Sequence, residues 1–443
     1  MEFLKYVVIA AIGALAAIMA NKGIAVFNDG FRPVYPEYFA GKMDRKALAA
    51  TSFAISFGLV IGFGIPTSIG ATIMLAHCVL LATDIIGTWC PNTKLGTIIA
   101  GSIGAAWGVL LLVGLDFLVK LFGYLPFNFL ANGSLGKVSD PIVIAFAIFP
   151  AVAVGFQGGL KKALITAVST MATFILINFL NAKKFIVIFG NTLNLNAAGM
   201  AMLVGVIMMI VFAARKKKEV VEGEAQAPSM STIFKDNVTR IKKNWIWFVA
   251  SGALISASSC LGIMAGDPTS LKLMAAGEIT SAAMVAFVRA IGFIPLVVTT
   301  AIVTGVYTPA GITFTWAIGM VSALIPNPII AVIVAAVGGG AMLFLEVQSL
   351  SLLANVLDKY EGLRDMGGHI RNAMNQVLEV ALLIGGVLAC QAMMPGFGFM
   401  FVIGLWLINK CGKKPVIVPL AVGPVAAIIL GLLVNILMLI GIM

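Results

Sequence analysis

Charge is what this sequence has least of. Only 11% of its 443 residues are charged, against about 25% in ordinary soluble domains. A soluble chain of this length needs a polar skin, and this one cannot make it. That excludes a cytosolic enzyme, a nucleic-acid-binding domain and a disordered chain. Histidine is nearly missing too: His77 and His369 are the only two, so no His-based metal centre is expected. The five cysteines, Cys78, Cys90, Cys260, Cys390 and Cys411, are scattered and form no CxxC. They imply neither a disulfide frame nor a metal site. HExxH, GxSxG and phosphate-loop patterns do not occur in any fitting context. No cofactor is expected, and the expectation is that the protein is not an enzyme.

What is there is apolar sequence. Hydrophobic residues make up 60%, and the mean hydropathy is +1.07. A membrane-spanning helix needs about 20 mostly apolar residues. Such runs cover 4–21, 46–64, 66–88, 95–121, 139–157, 160–181 and 194–214, then 245–264, 280–304, 308–324, 328–357, 370–394, 396–409 and 416–442. The first could pass for a signal peptide but lacks a strong basic start, and it reads as the first span. The reading is an all-α polytopic membrane protein of about 12–14 transmembrane helices. Residues 215–244 are the most polar stretch and separate an N-terminal membrane half, 1–214, from a C-terminal one, 245–443.

The halves overlay at an offset of 235. Gly70 meets Gly305, Pro91-Asn92 meets Pro326-Asn327, Gly104 meets Gly339, Gly133 meets Gly368, and Asp140 falls on Asn375. With an odd number of spans in each, the halves sit inverted in the membrane, a common transporter plan. The net charge of +11 fits the same plan, because Lys and Arg gather between apolar runs. Positive-inside counting puts the 215–243 linker in the cytoplasm and both termini outside, with Lys120, Lys137 and Lys183-Lys184 as exceptions. The expected location is a bacterial inner membrane, with lipid rather than nucleic acid as the partner.

Ionisable residues inside apolar spans are costly and point to function. His77, Asp84, Arg289 and Glu379 are of this kind, as is Glu346. Asp116 has Lys120 four residues on and reads as an interfacial ion pair. Asp29 and Arg32 lie in the Pro-rich stretch 28–37, either a cytoplasmic loop or a re-entrant segment near a gate. Asp140-Pro141 is a well-formed helix start. Arg371-Asn372-Ala373-Met374-Asn375-Gln376 puts amides and one Arg ahead of Glu379. Breaks at 64–66, 292–295, 326–328 and 395–396 give the discontinuous or re-entrant helices that transporters use at binding sites. The expected substrate-binding set is therefore Asp84, Arg289, Asn372, Asn375, Glu379, His77 and Asp140. Asp29, Arg32 and Glu346 are expected to gate or couple.

Several of these stretches resemble the YhfT-type bacterial inner-membrane proteins. They are residues 25–33, Thr83-Asp84-Ile85-Ile86-Gly87, residues 287–296, 301–315 and 370–375, and Glu379-Val380-Ala381-Leu382-Leu383. The resemblance spans nearly the whole chain and implies a transporter. The pattern departs at Glu346 and in the linker. Residues 41–64, 84–91 and 140–180 are also similar to galactitol/ascorbate-type membrane subunits of phosphotransferase uptake systems. That likeness implies an elevator-type carrier, a homodimer, and a separate soluble phosphoryl-donor subunit. The function expected is alternating-access transport of a small polar or anionic solute, such as an amino acid, sugar or sugar acid, with H⁺ or Na⁺ as possible coupling ion. A phosphotransferase permease and an intramembrane enzyme for a lipid-linked substrate are the alternatives.

Overall fold

The structure is a computed structural model. It describes residues 1–130, 134–185, 187–188, 191–192, 195–216, 230–312, 314–411 and 415–443. Of the linker expected over 215–244, residues 217–229 thus lie outside the described residues.

The chain is almost wholly helical. The first half holds α1 (Glu2–Asn21), α2 (Tyr35–Phe39), α3 (Arg45–Leu59), α4 (Ile65–Ala71), α5 (Ala76–Trp89), α6 (Lys94–Gly123), α7 (Asp140–Gly158), α8 (Leu160–Ala182) and α9 (Ala197–Ala214). A linker helix follows, α10 (Met230–Lys243). The second half holds α11 (Trp245–Cys260), α12 (Pro268–Ala275), α13 (Ile279–Thr304), α14 (Phe314–Ser322), α15 (Pro328–Lys359), α16 (Glu361–Met393), α17 (Gly398–Cys411) and α18 (Val422–Leu439). Short helical turns lie at Arg32–Val34, Val60–Gly64, Leu135–Ser139 and Pro419–Ala421, and among the described residues there are four two-residue strands: β1 (Met74–Leu75), β2 (Val187–Ile188), β3 (Asn191–Thr192) and β4 (Met264–Ala265).

Every one of the fourteen expected segments contains helix. Among the described residues, eight helices are long and apolar enough to cross a membrane unbroken, or nine with the pair 135–142 and 147–158, bent by 48°. The sequence expected breaks at 64–66 and 292–295, but helix continues through both, from α3 into α4 and across Pro295 inside α13. Several of the apolar runs are instead broken elsewhere. The run 66–88 is α4 and α5 with an extended strand between them, and 308–324 keeps only the nine residues of α14.

Local sequence explains the boundaries. Thr93 caps α6 by accepting from the Gly96 N–H at 3.0 Å. Asn327 caps α15 by accepting from Ile329 and Ile330, and Pro328 takes the first helical position, where its missing N–H costs nothing. The repeated Pro-Asn pairs therefore mark the starts of α6 and α15. Each of these long helices packs on the first helix of its own half through a glycine pair. A Cβ on Gly104 would stand 2.2 Å from the Gly13 carbonyl oxygen, and one on Gly339 2.3 Å from that of Gly252. Small residues let backbones touch where lipid offers no hydrophobic drive. Gly104→Leu or Gly339→Leu is expected to force the pairs apart at a cost of about 3 kcal/mol, seen as a lower unfolding temperature in detergent. Gly114→Leu, with nothing within 4 Å of the new Cβ, should change little.

At the centre one construction occurs twice. Gly23 and Gly262 each lie two residues past α1 and α11, with φ of 63° and 66°. A left-handed residue there turns the chain out of the helix at no steric cost to glycine. Extended chain follows in both cases. Thr72 and Gly305 each follow directly on α4 and α13, with φ of 58° and 69°, and extended chain follows them as well. The extended pieces then cross between the halves. Met74 donates to the Ile263 carbonyl at 3.0 Å, and β1 pairs parallel with β4. Tyr307 donates to the Ile24 carbonyl at 3.4 Å, and Val26 donates back to Tyr307 at 3.0 Å. Each half supplies one partner to each crossing. A backbone group left unpaired inside an apolar core would cost several kcal/mol, so the crossings are how these helices can stop mid-molecule.

Candidate functional site

A cavity of about 260 Å³ lies where the crossing segments end. All four contribute to its wall: Phe27 to Gly30 after the first, His77 after β1, Gly266 after β4, and Thr308, Ala310 and Gly311 after Tyr307. Four helices close it: α3 with Ile55 and Leu59, α5 with Leu81 beyond His77, α13 with Arg289, Phe293, Leu296 and Val297, and α16 with Arg371, Met374, Asn375 and Leu378. The α16 positions recur at intervals of three and four, which is one helix face.

Asp84 does not line the cavity. It is buried in α5, and its carboxylate accepts the N–H of Phe27 at 3.0 Å and that of Asn28 at 2.9 Å. The acid is thereby committed to shaping the segment that does line the cavity. Asn28 continues the brace, donating to the Ser56 hydroxyl at 2.9 Å and accepting from the Gly30 N–H at 2.9 Å.

The charges fall into pairs. Asp29 lines the cavity and forms an ion pair with Arg32, which is fully buried and also donates to the Val297 carbonyl at 3.4 Å. Arg289 lies 3.4 Å from the Asp267 carboxylate, donates to the Gly266 carbonyl at 3.4 Å, and stands over the Phe293 ring at 4.8 Å. Asp267 also caps α12 through the Ser270 N–H at 2.9 Å. Arg371 differs: no ion pair of it occurs among the described residues, and its Nε is buried without a hydrogen-bond partner. Among the side chains that line the cavity, Asp29 is acidic and Arg289 and Arg371 are basic. His77 lies edge-on to Phe27 and Phe63, with ring centroids 5.2 and 5.1 Å away, and its Nδ1 is buried with no partner.

The structure thus gathers His77, Arg289, Asn375 and Asp29 from the expected set around one cavity, with Arg32 behind Asp29. It leaves others outside. Asn372 is exposed on another side of α16, and Glu379, one turn past Asn375, is not among the lining residues. The 3.6-residue period explains both: the face carrying 371, 374, 375 and 378 excludes 372 and leaves 379 at its edge. Asp140 is half-exposed at the start of α7 and pairs with Lys272. Glu346, expected at a gate, also lies off the cavity. It accepts from the Ile312 N–H at 2.8 Å and the Tyr307 hydroxyl at 3.3 Å, and so holds the segment after the second crossing. The sequence reading takes Arg371 as the cation of the amide cluster but leaves it out of the expected binding set, and it leaves Asn28 out as well. Counting one turn back from Asn375 would have found Arg371.

No cluster of three or more metal-ligating side chains occurs among the described residues. What the cavity offers is guanidinium, amide, imidazole and backbone groups in an apolar shell. Such a lining can hold a small solute by hydrogen bonds and one compensating charge.

Comparison with known proteins places relatives beside this geometry. The YhfT family model, described as "Protein of unknown function", matches residues 5–443. "Uncharacterized protein YhfT" of Escherichia coli (strain K12) is 33% identical over 452 aligned residues, covering 99% of this chain and 98% of that protein. No solved structure matches.

Proposed function

The chain belongs to the YhfT family, and on that premise we propose that it carries a small organic anion across the bacterial inner membrane by alternating access. The observation that carries the proposal is the cavity at the strand crossings, with Arg371 left over once Arg32 and Arg289 are matched by Asp29 and Asp267. Arg371 is partly buried, with its Nε unpaired, and a charge withdrawn from water without a counter-ion is costly. A bound carboxylate would remove that cost and accept bidentate hydrogen bonds from the guanidinium. About 260 Å³ suits a solute the size of an amino acid or a sugar acid.

The matching constructions of the two halves support two inverted repeats. In that plan the cavity belongs to both repeats, and rocking one against the other exposes it alternately to the two sides. Asp29 and Arg32, joined at one wall, are then placed to open or close access.

The test is a melting-temperature screen of the purified protein against glycerate, gluconate, glucuronate, aspartate and neutral sugars. At least one of the anions should stabilise it, and that anion should be taken up by proteoliposomes. Arg371→Ala should weaken the response about 100-fold, a loss of about 3 kcal/mol. Stabilisation by the neutral sugars alone, or an anion response untouched by Arg371→Ala, would refute the proposal.

A further inference from the structure

The linker helix α10 carries no residue of the cavity, yet it is tied firmly into the molecule. Asn237 donates to the Ile302 and Val303 carbonyls, at 2.8 and 3.1 Å, in the last turn of α13. Those carbonyls have no partner within their own helix. Arg240 donates to the Gly23 carbonyl at 3.2 Å and lies over the Phe39 ring at 3.6 Å. One side of α10 thus clamps the second half through α13 and the first through Gly23. Its other side borders α15 and leaves a hollow of about 630 Å³.

That hollow is amphiphilic. Lys235, Thr239 and Lys242 line it from α10, and Ser351 and Asn355 from α15, over a floor that includes Val238 and Ala354. Lys242 donates to the Ser351 hydroxyl at 2.7 Å. A second hollow, of about 650 Å³, lies next along the same two walls, between α11 and α15. It is lined by Trp245, Val249, Gly340, Ala341, Phe344 and Gln348. On α15 the positions 341, 344, 348, 351 and 355 recur every three or four residues, so both hollows lie on one helix face. On the other wall Lys242 and Trp245 are three residues apart. Two lysines thus stand at one end of a groove and an aromatic, glycine-bordered trough at the other. Trp245 is exposed at the junction, as tryptophans are at a membrane–water interface.

We propose that this groove between α10–α11 and α15 binds an anionic phospholipid, with the phosphate at Lys235 and Lys242 and an acyl chain along Trp245 and Phe344. The commitment to a lipid rests on the two chemistries being in line. A soluble phosphate would use only the first hollow, and a zwitterionic lipid would gain little from two ammonium groups. The bound lipid holds α10 on α15 and so steadies the clamp across the two halves. The inference does not depend on the transport reading.

Lipid binding to the full-length protein in detergent, followed by native mass spectrometry and thermal unfolding, tests it. The probes are phosphatidylglycerol, phosphatidylcholine of matched chains, and sn-glycerol 3-phosphate. Phosphatidylglycerol should bind at least about ten-fold more tightly than phosphatidylcholine and raise the melting temperature. The double variant Lys235→Ala/Lys242→Ala should abolish the preference, while Lys235→Arg/Lys242→Arg and the control Lys243→Ala keep it. Ala341→Trp, which fills the trough, should weaken both lipids. Equal affinity for the two lipids, or a preference surviving the double alanine variant, overturns the proposal. So does glycerol 3-phosphate binding as tightly as the lipid, which would make this a site for soluble anions.

Discussion

Arg289→Ala is expected to abolish solute binding and to weaken the fold, and the two losses can be separated. The arginine is 8% exposed and shares its charge with Asp267, which is 2% exposed. Removing the cation leaves a carboxylate buried without its counter-ion, at a cost of about 3–5 kcal/mol. It also removes the guanidinium from the cavity wall and the cation from the Phe293 ring. The double variant Arg289→Ala/Asp267→Asn removes both charges. The asparagine can still cap α12 through the Ser270 N–H, so much of the lost stability should return. Solute binding should not return, because the donor is gone. Thermal unfolding reads the first outcome and ligand-induced stabilisation the second. Full binding in the double variant would remove Arg289 from the site.

Asp84→Ala is the other large effect, and it acts on structure. The carboxylate takes both N–H groups of the turn at Phe27 and Asn28. Without it one buried and one partly buried donor lose their partner, at about 1–3 kcal/mol each, so about 4 kcal/mol together. Asp84→Asn keeps one oxygen acceptor and should lose about half of that. Because the same turn carries Asp29 into the cavity wall, both variants should also weaken solute binding, in the same order as their stability. An Asp84→Ala protein that melts within about 2 °C of the parent would mean that the turn is held by something else.

These two residues show how much was legible in the sequence. Rarity of charge in apolar segments pointed to both, and both are buried where the halves meet. Their roles were not legible. Arg289 faces a cavity and Asp84 faces a backbone, and which way a side chain points depends on the partners that tertiary packing supplies. The helices themselves were easy to read, since long apolar runs with Pro and Asn at their starts have few other outcomes. The breaks were harder. Two-residue strands leave no period-2 pattern to detect, and Thr72 in a left-handed conformation gives no sign where a glycine would. The offset of 235 matched α6 with α15 because the packing glycines Gly104 and Gly339 lie within them. It set Gly70 against Gly305, whereas the residue built like Gly305 is Thr72. Unequal loop lengths shift the register between helices, and no single offset can follow that.

The reciprocal crossings also set an order on biosynthesis. Met74 finds its partner only when Ile263 has been made, and Ile24 waits longer still, for Tyr307. At roughly 5–20 residues per second, the first half stays in the membrane for many seconds with open strand edges and no cavity. Neither half can close its own backbone, so a fragment ending in the linker should behave as an unfinished protein that translocation machinery or a chaperone must hold. The first crossing becomes possible once Ile263 and β4 are made, and the second only when Tyr307 follows α13.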